Sequence, residues 1–170
     1  MVMRSFDRRG FMRAGAALAA MPAVPGAAFA KDYIELNWTD LIPIGQQAVP
    51  PVLQSMIQHD GPDMSSQQPA SQGVRRDWNG QIVRLPGFIV PIEYSGTGVT
   101  AFILVPFVGA CVHVPPPPAN QLVFVTTEKP YESSGLFEPV NVVGMFGTAS
   151  TSTQIADIAY ALSADYIEPF

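Results

Sequence analysis

The chain's one cysteine, Cys111, stands two residues from one of its two histidines, His113, and four prolines follow at Pro115, Pro116, Pro117 and Pro118. On an extended strand, residues two apart point to the same side. A thiol and an imidazole arranged in that way could share one metal ion or pass one proton. Proline fixes φ and offers no backbone N–H, so regular strand pairing stops at such a run. The expected picture is a Cys-x-His pair at a strand end, backed by a stiff segment that closes with Asn120 and Gln121.

Three chemistries fit these residue types. As metal ligands, Cys111 and His113 suit zinc or copper. A further ligand would come from His59, the other histidine, or from Asp60, Asp63 or Glu93. So few soft ligands favour an open site over a closed structural zinc site. Blue copper needs a methionine close behind the histidine, and the next one is Met145. As a catalytic pair, His113 would lower the thiol pKa and Asn120 would orient the imidazole. Nothing else in the chain supports catalysis: it has no glycine-rich phosphate loop and no serine elbow. The plainest reading takes Cys111 as a small buried hydrophobe and the histidine as a hydrogen-bonding neighbour. The prolines then form a stiff loop around the fold, with Asn120 and Gln121 as its anchors, bonding backbone groups that proline leaves unpaired.

The compartment sharpens the cysteine's meaning. Residues 1–30 read as a cleavable export segment. Asp7-Arg8-Arg9-Gly10-Phe11 resembles the twin-arginine pattern; an alanine-rich run and the small-residue site Ala28-Phe29-Ala30 follow. The apolar run is too short for a membrane anchor. In the oxidising periplasm a single thiol has no internal disulfide partner, so it is buried, metal-bound, reactive or paired between chains. Of nine basic and fourteen acidic residues, four arginines and one aspartate fall in the export segment. The remainder is therefore strongly acidic, which argues against nucleic acid or anionic membrane as partners.

The elements that must position the pair are mostly strands. Seventeen prolines and fourteen glycines imply many turns and not a helical bundle. Residues 31–78 read as an irregular arm with short helical pieces at Asn37–Ile42 and Pro51–Ile57, leading into a loop over Asp60–Gly73. A β core occupies 79–170. Its first strand, Gln81–Tyr94, bends at Pro86-Gly87. The next is Thr100–Val108, and Pro91 and Pro106 mark bulges or edges in these two. Leu122–Thr127 and Val140–Phe146 follow, with a turn over Glu128–Glu138 between them. Ile155–Ile167 fits helix and strand spacing alike. The strand is preferred, because five strands can close into a small barrel of the OB type. The expected fold class is thus mainly β, an OB-like barrel behind a partly helical arm.

The string Cys111-x-His113-x-Pro115-Pro116-Pro117-Pro118-Ala119-Asn120-Gln121 carries a resemblance. With Leu85-Pro86-Gly87-Phe88 and Phe102-Ile103-Leu104-Val105-Pro106 before it, it resembles the exported bacterial family called domain of unknown function 3299, over Trp38 to Ile167. The resemblance implies export and company with ABC-transporter components, some of them linked to zinc uptake. Its implied function is a periplasmic, zinc-binding accessory protein of such a transport system. A thiol-dependent enzyme and a non-catalytic interaction module with an inert cysteine stand as the alternatives. An enzyme is the less favoured of the three.

Overall fold

In the computed structural model, residues 32–46, 68–71, 73–111 and 116–170 are described. Six strands run in chain order: β1 (Ile34–Glu35), β2 (Gln81–Ser95), β3 (Gly98–Val105), β4 (Val123–Tyr131), β5 (Pro139–Ser152) and β6 (Asp157–Pro169). The sheet order β2-β3-β4-β6-β5 closes through a β2–β5 pairing, which gives a five-stranded barrel of OB-like type. All barrel pairings are antiparallel except β4 with β6. The ambiguous last segment is a strand. It has to be, since without β6 nothing would join β4 to β5.

β2 closes the barrel by serving two neighbours. Gln81 to Phe88 pairs with β5, and Phe88 to Ser95 pairs with β3. The changeover falls at the expected bend. A Cβ on Gly87 would come within 2.8 Å of the Leu104 side chain and 2.9 Å of the Val105 carbonyl, so β2 crosses β3 there only because that position is bare. The bulge expected near Pro91 is present as a register shift between Pro91 and Glu93. Two strands exceed their expected lengths. β4 runs through Lys129-Pro130 to Tyr131, and β5 continues from Phe146 to Ser152. β3 is shorter, because Pro106 ends it at Val105.

The apolar residues form two cores, and β3 divides them. Val99, Phe102 and Leu104 face inward, joining Val83, Leu85, Phe146, Tyr160 and Leu162 inside the barrel. Ile103 and Val105 face outward into a second cluster with Val90, Ala110, Cys111, Leu122 and Ile158. The unbroken run Ala101 to Val105 is the signature of a strand buried on both faces.

The arm adds the parallel strand β1 and a 3-10 turn at Trp38–Leu41. Asp40 accepts from the Asn37 backbone N–H at 2.8 Å, and Pro43 follows the turn, so it goes no further. The helical piece expected at Pro51–Ile57 lies outside the described residues. Trp38 donates its indole N–H to the Pro86 carbonyl at 2.8 Å. The fully buried Tyr160 hydroxyl donates to the Leu41 carbonyl at 2.8 Å and accepts from the Arg75 backbone N–H at 2.7 Å. One phenol thus ties two of the described stretches of the arm to β6.

Candidate functional site

Cys111 does not stand on a strand. β3 has ended six residues earlier, and the chain turns back through Gly109 at φ 95° and Cys111 at φ 66°. Pro106 cannot donate to the ladder and Gly109 permits the reversal, so the extended geometry expected for the Cys-x-His pair fails at Cys111. A left-handed conformation is uncommon for a residue with a Cβ. The turn folds the thiol down onto the outer face of β2 and β3, where Cys111 is 2% exposed. Burial pushes its pKa up to about 12. That is the direction opposite to the one an activated nucleophile requires.

Of the other expected site residues, His113 and Pro115 lie outside the described residues, as do His59, Asp60 and Asp63. Pro116, Pro117 and Pro118 are buried against the barrel. Gln68 fastens them, its amide N–H donating at 2.8 Å to the carbonyls of Pro117 and Asp157. Its amide oxygen accepts from the Asp157 N–H, also at 2.8 Å. Pro116 to Pro118 are therefore a packed wrap on the barrel wall.

Asn120 and Gln121 occupy a short 3-10 turn and are buried. They act as anchors on both sides: the Gln121 backbone N–H donates to the Pro118 carbonyl at 2.7 Å, and the side chains hold the arm. Asn120 donates to the Gly73 carbonyl at 2.9 Å, and Gln121 donates to the Trp38 and Asn120 carbonyls at 3.0 Å. With its amide N–H engaged in this way, Asn120 serves the arm.

Beside Cys111 opens a cleft of about 890 Å³ on the outside of the barrel, within the range of roughly 300–1,000 Å³ typical of ligand pockets. The second half of β2 supplies Val90, Pro91, Ile92 and Glu93. Phe124 comes from β4, Leu136 from the β4–β5 loop, and Thr151 to Ile155 from the end of β5 and the β5–β6 turn. Cys111 and Glu93 are its titratable lining residues among those described. In OB barrels the corresponding face and the loop between the last two strands commonly take ligands. Here the β3–β4 connection covers much of that face and leaves the cleft at its margin. Sequence reasoning named Cys111 and Glu93 as candidate ligands and did not foresee the rest of the lining. The polar run Thr151-Ser152-Thr153-Gln154 between two apolar strands was the signal for the turn, but nothing in it showed which face the turn would border.

The sequence matches the family described as "Protein of unknown function (DUF3299)" over residues 38–169. The chain belongs to this family. A crystal structure of a DUF3299 family protein from Pseudomonas aeruginosa PAO1 is similar, with a TM-score of 0.72 and 36% identity over 81% of this chain and 96% of that one. Among curated proteins, none is similar to this chain. Membership covers the barrel and the arm from Trp38 onward, so the cleft, the outer core and all of the inner core but Leu36 lie within the family domain.

Proposed function

We propose that this DUF3299 chain is an exported accessory domain, periplasmic once residues 1–30 are removed. It binds a transition metal, zinc first, through Cys111 and His113 and serves an ABC-type transport system. The observation that carries the reading is the left-handed turn that puts Cys111 in the wall of a cleft also lined by Glu93. A thiol, a carboxylate and an imidazole two residues along the chain form a donor set suited to a borderline-soft ion. Among the described residues no three His, Cys, Asp or Glu side chains come together. The imidazole must therefore come from His113, with His59 as the other source. A bound ion would hold the thiol as thiolate against the effect of burial, so metal uptake releases a proton and strengthens as pH rises. The transport partner rests on the family resemblance alone.

Metal analysis tests this directly, on protein recovered from the periplasmic fraction. The expected result is about one zinc per wild-type chain, lost in both Cys111→Ala and His113→Ala. Equal, near-zero zinc in all three sinks the metal reading. Protein confined to the cytoplasm sinks the export part.

One observation favours a second reading. A 2% exposed thiol with a raised pKa is what an inert, space-filling cysteine looks like. An interaction module of this kind would bind no metal and resist alkylation while folded. The thiol-enzyme reading instead needs Cys111 to alkylate well below a pH of about 8.5, the ordinary thiol value.

A further inference from the structure

The cleft has chemistry of its own, apart from the cysteine. Its floor is apolar, formed by Ile92, Phe124, Leu136 and Ile155, and Ile92 and Leu136 remain 36% and 49% exposed. Exposed apolar side chains gathered round one concavity are a mark of a binding surface. Its one charged lining residue among those described is Glu93, and the whole chain carries a formal charge of −5. Anionic ligands find no cation among the described lining residues.

The strand edge beside the cleft is also open. The last backbone bonds on that side of β2 join Ile89 to Phe137 and Glu138, at 2.8 and 3.1 Å. Beyond Ile89 this edge has no strand partner among the described residues. Pro91 and the shift at Glu93 prevent a long regular ladder from forming on it. A short extended segment can still lie along it, with side chains on the apolar floor.

We propose that the cleft takes a short, extended segment of a partner protein, one that carries a lysine or arginine between apolar residues. The cation pairs with Glu93, and the apolar side chains cover Ile92, Phe124 and Ile155. This mode combines edge recognition with side-chain pockets. The inference shares the cleft with the metal reading but does not depend on a metal.

The test titrates the full chain, with and without chelator, using two short capped peptides of alternating valine and threonine. One has a central lysine and the other a central glutamate. Chemical shifts of the Ile92 and Ile155 methyl groups and of the Phe124 ring report binding. The lysine peptide should bind at these residues about ten-fold more tightly than the glutamate peptide. Glu93→Gln should erase that preference and Glu93→Lys should reverse it. Equal affinities for the two peptides, an unchanged order in Glu93→Lys, shifts confined to another face, or no binding would each overturn the proposal. So would self-association through the same face, seen by light scattering. Zinc content of Cys111→Ala is a separate readout, so the two readings fail independently.

Discussion

The inside of the barrel and its outer face at β3 are both dry, yet they are built differently. Strands wall the inner core, with Leu36 and Leu41 of the arm added to it: Phe102, Leu104, Phe146, Tyr160 and Leu162 meet across the barrel and are at most 2% exposed. The outer core has strands on one side and an irregular connection on the other, which brings Ala110, Cys111 and Leu122 down onto Ile103 and Val105. Strand walls are fixed by ladders on both edges, whereas a connection can settle when a side chain beneath it shrinks. The inner core therefore sets the fold, and the outer core sets where Cys111 and the cleft lie.

Neighbouring residues offer the sharpest way to break that comparison. Phe102 points inward and Ile103 outward, and both are fully buried. Phe102→Ala should cost about 3–5 kcal/mol in urea unfolding, since the barrel walls cannot close on the cavity. Ile103→Ala should cost nearer 2 kcal/mol, the low end for such a truncation, because the covering segment can relax into the gap. Equal costs would mean that the connection is as rigid as a strand, and the distinction between the two cores would be lost.

Tyr160 sharpens the comparison at the inner core's end. Its ring stands 5.1 Å from that of Phe146, and its hydroxyl serves Leu41 and Arg75 of the arm. Tyr160→Phe keeps the ring and strands one carbonyl and one N–H. We expect a loss of about 1–3 kcal/mol. Amide exchange should speed up in the arm and stay unchanged in β3. Uniform acceleration through the barrel would show that the arm and the barrel open as one unit.

The two cores also differ in how far the sequence disclosed them. Alternation and proline placement located the first four barrel strands, because a strand's faces are encoded at a period of two; β6 is ambiguous by spacing, and a strand is preferred there because it lets the barrel close. The continuous run Phe102 to Val105 fits burial on both sides, but in the sequence it marks only a strand. It could not say what covers the outer side, since that depends on a reversal at Gly109 and Cys111, and a left-handed cysteine has no sequence signature. Reading Cys111 as part of a strand followed from its β-rich surroundings and was overruled by Pro106. Asn120 and Gln121 were legible as anchors by type, but their partners Gly73 and Trp38 lie 47 and 83 residues away. The cleft was least legible, being made where β2, β4 and the β5–β6 turn meet in space.

The smallest effect concerns the loop that carries Leu136 at the cleft's edge. Glu138 accepts from the Tyr131 hydroxyl at 2.9 Å, the Ser133 hydroxyl at 2.7 Å and the Ser134 N–H at 2.7 Å. Partial burial acts to raise its pKa, but the donors from Ser133, Ser134 and Tyr131 outweigh it and hold the carboxyl below its ordinary value. Tyr131 is pushed up to about 12, first by burial and then by the Glu138 carboxylate. A depressed carboxyl contributes stability that is complete above the unfolded value of about 4.3 and is lost as pH falls below it. A raised phenol contributes stability that is intact below about 10 and is lost as pH climbs from there toward 12. Both groups are largely solvated, so each limb should amount to less than about 1 kcal/mol. Glu138→Gln should flatten the acid limb of the stability profile and soften the alkaline one, while leaving the inner-core cost of Phe102→Ala unchanged. If both limbs persist in Glu138→Gln, other groups carry the pH dependence, and the loop at the cleft is held by its backbone alone.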